Sequence, residues 1–302
     1  PTDASQQGGA MCGLEDFAEI LQANQPLAPF TCFKVGGPAE ALVQPRNRDE
    51  LAAVVRRCAE KRTPLRVLGS GCNILVRDEG VRGVVLRLSE PAFTTITIEG
   101  SRARAGCGAG LSALISQATR HNLAGLETLV GIPGTVGGAL RCNAGDRSGE
   151  IGQYVYSVEV LDDRGGVQVR GRDELRFADH WSNLDEAVLL AADFELERDS
   201  PDAIVKRMRK SWIHRKASQP LSFEAAVRVF KNPRGQSAAV LIDQAGLAKT
   251  RVGGAEVSER NASYIVAHAG ACARDILRLI ELIRSQVRER FGAELELSIA
   301  VW

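Results

Sequence analysis

Asp179 and His180 in the segment FADHWS could carry acid–base chemistry, because histidine titrates near neutral pH and a carboxylic acid also exchanges a proton. Further along, Arg215, Lys216 and Arg228 provide positive charge suited to a diphosphate or a carboxylate. The same side chains would be equally ordinary on a solvent-exposed helix or hairpin. The sequence alone leaves these two interpretations open.

Glycine-rich loops provide a second kind of chemistry. They are KVGGPA (34–39), GSGCN (69–73), and the pair GCGAG (106–110) and GIPGTVGGALRCNAG (131–145). Bare glycine amides approach a ligand closely, and successive amides form a nest that binds anions such as a pyrophosphate. The loops match neither the Rossmann fingerprint nor the P-loop. They predict a large phosphate-bearing ligand held in another way, or, in the simpler interpretation, only turns.

The surrounding pattern predicts the elements that position these loops. In chain order it indicates a helix at 50–63, strands PLRVLG and 81–88, strands TTITIEG and SRARAGCGAG, helix LSALISQATRHN, a hairpin at 155–171, a strand at 187–197, a helix at 201–215, helix SAAVLIDQAG, strand ASYIVAH, a long helix ending before Gly292, and a last strand ELELSIAVW. This order predicts an α+β fold with mixed sheets rather than a regular β-α barrel.

The composition favours a soluble globular protein. The 302 residues are 44% hydrophobic and 25% charged, which is enough for two or three domains. Lys and Arg total 38 against 37 Asp and Glu, so no overall charge excess recruits nucleic acid. We find neither a run of eighteen apolar residues nor a signal peptide, and therefore expect a cytoplasmic protein without membrane insertion. Residues 1–10 are expected to be a tail without a role.

The cysteine pattern argues against a disulfide framework and against a metal site. The seven cysteines are an odd number, are scattered, and include no CxxC pair. We therefore expect free thiols, most of them small core residues, and no bound metal.

Six segments, in this order, resemble the UDP-N-acetylenolpyruvoylglucosamine reductases, the MurB family. They are TCFKVGGPAE, LGSGCNILV, GLETLVGIPGTVGGALRCNAG, VFKNPRG, LIDQAGLAKTRVGGAEVSERNASYIV and FGAELEL, and the similarity covers about residues 30–301. The resemblance implies an α+β protein with a two-lobed FAD-binding domain of the vanillyl-alcohol-oxidase type and a smaller α+β substrate-binding domain. We expect a tail and first helix at 1–28, FAD-binding lobes at 29–90 and 91–198, and the substrate-binding domain at 199–302.

The resemblance further implies FAD as cofactor, NADPH as its reductant if the protein is active, and a UDP-sugar nucleotide or related small molecule as partner. Matching the motifs residue by residue gives an FAD-binding set of Gly36, Gly37, Gly69, Ser70, Gly71, Cys72, Asn73, Ile132, Pro133, Gly134, Thr135, Gly137, Gly138, Asn143, Ala144 and Gly145. The same matching gives a substrate-binding set of Lys231, Asn232, Arg215 and Glu296.

The positions that carry catalysis in the family are substituted in this chain. The family has a serine proton donor in a pattern like AGSxFKNP, where this chain has Arg228. It has a tyrosine and an arginine in a pattern like FGYRxS, where Asp179 and His180 stand, and a glutamate in a pattern like LExEV, where Ser298 stands. An arginine stays protonated at any working pH and is a poor acid, although it binds anions well.

Two functions follow from this combination, and a third is less favoured. The first is an FAD-dependent oxidoreductase resembling UDP-N-acetylmuramate dehydrogenase, which uses NADPH to reduce UDP-N-acetylglucosamine enolpyruvate in peptidoglycan precursor synthesis, with altered or weak catalysis and with His180 as a candidate substitute acid. The second is a non-catalytic paralogue that binds FAD or a nucleotide. The third is a structural remnant without a cofactor.

Overall fold

The first sheet ends at the glycine corner, residues 69–73. The computed structural model describes residues 13–220 and 225–302, so the predicted tail at 1–10 lies outside the described residues. The sheet has the order β1–β2–β5–β3, with β1 antiparallel to β2 and with β5 parallel to both β2 and β3. The elements of this region are β1 (Leu21–Pro26), β2 (Pro38–Val43), α1 (Arg48–Lys61), β3 (Leu65–Val67), the short β4 (Ile74–Leu75) and β5 (Val81–Leu86).

Helix α1 covers this sheet and begins and ends where local signals place it. The side chain of Asn47 accepts a hydrogen bond from the Glu50 amide at 2.9 Å, which satisfies one free donor of the first turn. At the other end, Arg62 adopts a left-handed conformation that terminates the helix. Its apolar face is buried in a core that also contains Leu161, Val188 and Leu190 from the second sheet.

The second sheet has five antiparallel strands in the order β12–β11–β15–β7–β6. Helices α3 and α4 pack against it and enclose a buried core. The elements of this region are α2 (Pro91–Thr94), β6 (Ile96–Glu99), β7 (Arg102–Gly106), α3 (Leu111–Arg120), β8 (Leu123–Ala124), α4 (Val136–Arg141), β9 (Gly145–Asp146), β10 (Gly149–Glu150), β11 (Val155–Leu161), β12 (Val167–Gly171), β13 (Phe177–Ala178), β14 (Trp181–Ser182), β15 (Val188–Glu195) and β16 (Glu197–Arg198).

The C-terminal region forms a third, antiparallel sheet in the order β17–β20–β19–β18, covered by α6 and α7. Its elements are α5 (Pro201–Ser218), β17 (Ala226–Arg228), α6 (Ala238–Gln244), β18 (Arg251–Val252), β19 (Ala255–Val257), β20 (Tyr264–Ala267), α7 (Ala273–Phe291) and β21 (Ala300–Val301). The core of this region includes Phe33, Val35 and Leu75 from the first lobe, so the two parts share buried surface. The boundaries predicted at 28, 90 and 198 stay predictions.

The last strand is shorter than the sequence pattern predicts. Only Ala300–Val301 pair as a strand, with β4, and Leu297 makes one isolated bridge to Phe230. The chain between these points hydrogen-bonds to the segment after β17, because the Ser298 amide donates to the Val229 carbonyl at 2.8 Å. The segment therefore connects two sheets instead of extending one of them.

The expectation of free cysteines is wrong for one pair. Cys32 and Cys72 form a disulfide, with their Cα atoms 4.9 Å apart and a sequence separation of 40. The fold brings the loop before β2 against the glycine corner, a proximity that cysteine spacing does not reveal. Among the remaining cysteines in the described residues, Cys58 and Cys107 are buried and are not part of a disulfide. No helix in the described ranges has the length and apolarity needed to cross a membrane.

Candidate active site

A cavity of about 340 Å³ lies between the glycine corner and α4. Gly69 and Ser70 line one side of it, and Thr135, Gly137 and Gly138 line the opposite side, together with residues of the GCGAG loop. Thr135 also caps α4, because its Oγ1 accepts a hydrogen bond from the Gly138 amide at 3.3 Å. The structure thus brings five residues of the predicted cofactor set together around one space.

Positions 69 and 71 of the corner are glycines because neighbouring segments lie very close to their Cα atoms. A Cβ atom at Gly69 would lie 2.5 Å from Oγ1 of Thr135, and one at Gly71 would lie 2.2 Å from the carbonyl oxygen of Phe30. Gly71 also has a φ of +63°, which side chains rarely adopt. Any larger residue would displace the loop or Thr135. The glycines therefore preserve a narrow cleft with exposed backbone.

Other members of the predicted cofactor set are not among the residues that line this cavity. Gly36 and Gly37 pack against residues 76–80. In the GIPG loop, Ile132 packs on the core of the second sheet, Pro133 is exposed, and the Gly134 carbonyl accepts from the Leu111 amide at 2.9 Å. Asn73 is exposed, and its carbonyl accepts from the Ala300 amide, while Cys72 is in the disulfide. Their proposed contacts with a cofactor stay predictions.

Asn143 is a scaffold residue in the structure. Its side chain is buried, donates to Glu150 at 2.6 Å and to the Ala178 carbonyl at 2.9 Å, and accepts from the Gly152 amide at 3.1 Å. Ala144 and Gly145 continue into β9, next to this network. Because Ala178 immediately precedes Asp179, Asn143 holds the hairpin that carries the predicted acid pair.

Arg87 is a site residue that the sequence interpretation missed. It lines the first cavity and also a second cavity of about 490 Å³, which meets the first at Ser70. Its guanidinium carbon lies 4.2 Å from the centroid of the Phe30 ring, and burial lowers its pKa. In the described part of the chain it makes no ion pair with a carboxylate. The available signal was an arginine directly after the buried strand VVL, at the same sheet edge as the glycine corner.

Two of the positions predicted to be substituted, 228 and 298, are hydrogen-bonded neighbours. Arg228 ends β17, and the Ser298 hydroxyl donates to the Arg228 carbonyl at 2.9 Å. The segments at 228 and 298 are thus far apart in sequence and meet in the fold. The Arg228 side chain is partly buried, and its Nε atom is buried without a hydrogen-bond partner among the residues described.

The third predicted substitution lies on the two-stranded hairpin of β13 and β14. His180 lies in the two-residue turn between β13 and β14 with a φ of +52°, in the left-handed region. Its pKa is lowered mainly by burial and then by the charge of Arg228, with a smaller contribution from Lys231, while Asp179 and Glu150 oppose the shift. Asp179 is 86% exposed, and its carboxylate lies 3.9 Å from Nε2 of His180. The hairpin therefore brings His180 toward the cations of the C-terminal domain.

The predicted substrate residues are only partly available to a ligand. Arg215 is buried, where it donates to the Thr128 carbonyl and pairs with Asp146, both at 2.9 Å. It is thus not part of a solvated helix face. Lys231 pairs with the exposed Glu296 at 3.4 Å. The amide oxygen of Asn232 accepts from the Ala238 amide at 3.1 Å and helps to begin α6.

The cavity fits a flavin dinucleotide in its chemistry. The bare backbone at 69–71 and the hydroxyl of Thr135 can donate to phosphate oxygens, and Arg87 supplies a positive charge without an acidic neighbour in the described residues. Cys107 lines the cavity as an unreactive wall, since burial raises its pKa to about 12. No group of three potential metal ligands occurs within 13–220 and 225–302.

Family models match both parts of the chain. Residues 39–170 match a model described as FAD binding domain, and residues 219–302 match one described as UDP-N-acetylenolpyruvoylglucosamine reductase, C-terminal domain. Together the two matched ranges include the glycine corner, α4, the strand with Arg228 and the segment with Ser298.

Curated proteins and a solved structure resemble nearly the whole chain. A UDP-N-acetylenolpyruvoylglucosamine reductase of Caldanaerobacter subterraneus is 39% identical over 277 residues, which cover 91% of each chain. A second one, from Symbiobacterium thermophilum, is 41% identical over 291 residues, covering 96% of this chain and 94% of that protein. The crystal structure of the Thermus caldophilus reductase superposes with a TM-score of 0.81 at 36% identity, covering 93% of this chain and 98% of that one.

Proposed function

Because the chain belongs to the UDP-N-acetylenolpyruvoylglucosamine reductase family, we propose that it is an FAD-dependent oxidoreductase of the UDP-N-acetylmuramate dehydrogenase type with weak catalysis. Its FAD-binding and C-terminal domains are those of the family. The observation that carries the weak catalysis is the hydrogen bond between Ser298 and Arg228, beside which the charge of Arg228 also lowers the pKa of His180, since all three stand at positions matched to the family's catalytic residues.

Bound FAD would supply hydride transfer, with NADPH as the proposed donor and the enolpyruvyl ether of a UDP-sugar as the proposed acceptor. The chain's contribution to binding is the glycine corner, Thr135 and Arg87. The corner and Thr135 offer hydrogen-bond donors, and Arg87 offers a positive charge at the junction of the two cavities. These groups are intact, so we expect cofactor binding to be retained.

This chain differs from the family pattern at the residues proposed for proton transfer. Reduction of an enolpyruvyl carbon also requires an acid that protonates the neighbouring carbon. Arg228 retains its proton at any working pH, and the Ser298 hydroxyl donates to a backbone carbonyl. His180 is mostly neutral at pH 7 because its pKa is lowered, so only a small fraction of the imidazole is protonated and able to act as an acid. Loss of a general acid typically slows a reaction about 10²- to 10⁴-fold.

An absorbance spectrum of the purified protein between about 300 and 550 nm, followed by anaerobic NADPH, tests the proposal. We expect a flavin band, before or after FAD is added, that NADPH bleaches. We then expect turnover with UDP-N-acetylglucosamine enolpyruvate well below the roughly 10 per second of an ordinary enzyme. Turnover at the ordinary rate would contradict weak catalysis, and a protein that takes up no FAD would contradict the flavoprotein assignment.

A second candidate is a non-catalytic paralogue that binds FAD or a nucleotide. The same corner favours it, because a guanidinium at position 228 binds an anion without transferring a proton. The two candidates differ in the anaerobic experiment. A flavin band that persists in NADPH favours the binding protein, whereas bleaching and slow reoxidation by the enolpyruvyl substrate favour the weak reductase.

A further inference from the structure

We propose that the corner at Arg228 is a carboxylate-binding site, in which Arg228 anchors the acidic group of a sugar nucleotide that the protein retains without rapid conversion. This inference rests on the proposed function and concerns the ligand of that same site. It assigns to Arg228 a role in binding, in place of the proton donation that the family has at this position.

Among the residues that the structure describes, no carboxylate pairs with Arg228. Several other arginines of the fold have carboxylate partners, such as Asp146 for the buried Arg215 and Glu159 for Arg48. Arg228 makes no ion pair within residues 13–220 and 225–302, and its buried Nε has no hydrogen-bond partner there. A partly desolvated guanidinium without a counter-charge favours an anionic ligand.

The charges at positions 228, 298 and 180 differ from those of the family pattern. A glutamate is the family residue at position 298, and here a neutral serine donates its hydroxyl to the Arg228 carbonyl, so no carboxylate is available at this position to neutralise the guanidinium. Across the corner, His180 replaces an arginine. Relative to the family pattern, the positive charge has thus moved from the β13–β14 hairpin to β17 of the C-terminal domain.

The guanidinium of Arg228 is suited to a carboxylate. Its planar fork binds a carboxylate through two parallel hydrogen bonds, which makes the interaction dependent on that group. Lys231 lies three residues further along and adds positive charge, although Glu296 shares it. Because Arg228 recognises the carboxylate and not the neighbouring carbons, the unsaturated and the reduced three-carbon ethers are expected to bind with similar affinity.

Isothermal titration of the FAD-loaded protein without NADPH tests this inference. The probes are UDP-N-acetylmuramate, which has the carboxylate, and UDP-N-acetylglucosamine, which lacks it. We expect the carboxylated nucleotide to bind about 10- to 100-fold more tightly, as for one charge-assisted bidentate pair. Arg228→Met should reduce this ratio to near one, and Arg228→Lys should retain part of it.

Arg234→Met is the matched control, because Arg234 is an exposed arginine on the same segment and should leave the ratio unchanged. Equal affinities in the unmodified protein, or a ratio that persists in a folded Arg228→Met protein, would overturn the inference and leave the family function intact. Failure to bind either nucleotide would contradict both the inference and the proposed function. If Arg228→Met does not fold, the ratio in the unmodified protein and its reduction in Arg228→Lys still decide the question.

Discussion

His180 combines a strained backbone with an unfavourable site for a positive charge. A left-handed φ costs a non-glycine residue about 1–2 kcal/mol, and burial together with Arg228 lowers the pKa of the imidazole. Such outliers persist where the surrounding structure holds them, and here Asn143 holds the hairpin through Ala178. His180 therefore adds little to the stability of the fold, which is consistent with a role in the candidate active site and not in packing.

The lowered pKa of His180 predicts a pH dependence of stability. Between the folded-state pKa and the ordinary value of 6.5 the unfolded chain binds more protons, so the free energy of unfolding falls as the pH drops below 6.5. His180→Asn, which tolerates a left-handed turn, should lose less stability between pH 7 and pH 5.5. Urea unfolding at both pH values measures this. An equal loss in both proteins would show that other groups dominate, and His121→Asn, on an exposed helix end, is the control.

Restoring the family residues should recover catalysis only in combination. Arg228→Ser alone is expected to give little gain, because His180 and Ser298 remain substituted. The triple variant Arg228→Ser, His180→Arg, Ser298→Glu should raise turnover by about 100-fold or more, the contribution of a positioned general acid. Stopped-flow reoxidation of the NADPH-reduced protein by the enolpyruvyl substrate measures the step. Full recovery by Arg228→Ser alone would show that the other two positions are not required.

At the level of elements, the parallel pair β3 and β5 creates the binding edge. Both strands end at the same side of the sheet, so Gly69 and Arg87 become neighbours of one cavity although they are 18 positions apart. Ligands in open parallel sheets bind outside the carboxyl ends of the strands. The disulfide between Cys32 and Cys72 adds a covalent link between the corner and the preceding loop.

Arg87→Gln should weaken FAD binding about 10- to 100-fold, since a charged hydrogen bond contributes about 1.5–3 kcal/mol. Riboflavin lacks the phosphates, so its affinity should change little. Titration of apoprotein followed by flavin fluorescence measures both affinities. Arg82→Gln, on the exposed face of the same strand, should leave them unchanged. If riboflavin and FAD lose affinity equally, Arg87 supports the cavity wall and does not contact phosphate.

At the scale of the whole molecule, the C-terminal domain is attached to the first lobe by specific contacts. The carboxylate of Asp78, in the loop after β4, accepts hydrogen bonds from the Ala273 and Arg274 amides at 2.8 and 3.0 Å. It thus caps α7 across the domain junction, where a negative charge is also favourable.

Asp78→Ala should reduce the free energy of unfolding by about 1–2 kcal/mol, the usual effect of losing a helix cap. Chemical denaturation followed by circular dichroism measures the change. Glu79→Ala is the matched control, because its exposed side chain makes only a 4.0 Å ion pair with Arg274 and should change stability by less than about 0.5 kcal/mol. Equal effects from both variants would indicate that the cap is not formed in solution.

The sequence by itself determined the family, the order of the elements and the glycine corner. Helices α1, α3 and α7 lie close to their predicted positions, because apolar spacing and capping residues act over a few neighbouring positions. Motif matching also predicted substitutions at positions 179, 180, 228 and 298, with Phe177, Ser182 and Phe230–Pro233 as matching residues beside the first three.

Only the tertiary structure decided which of these residues meet. It brought Arg228 to Ser298, buried Arg215 against Asp146, joined Cys32 to Cys72 and placed Arg87 in the cavity. It also showed that the side chain of Asn143 is used within the fold, and that the last strand is two residues long. These outcomes depend on packing between segments that are distant in the chain, whereas a sequence pattern reports the preferences of neighbouring residues.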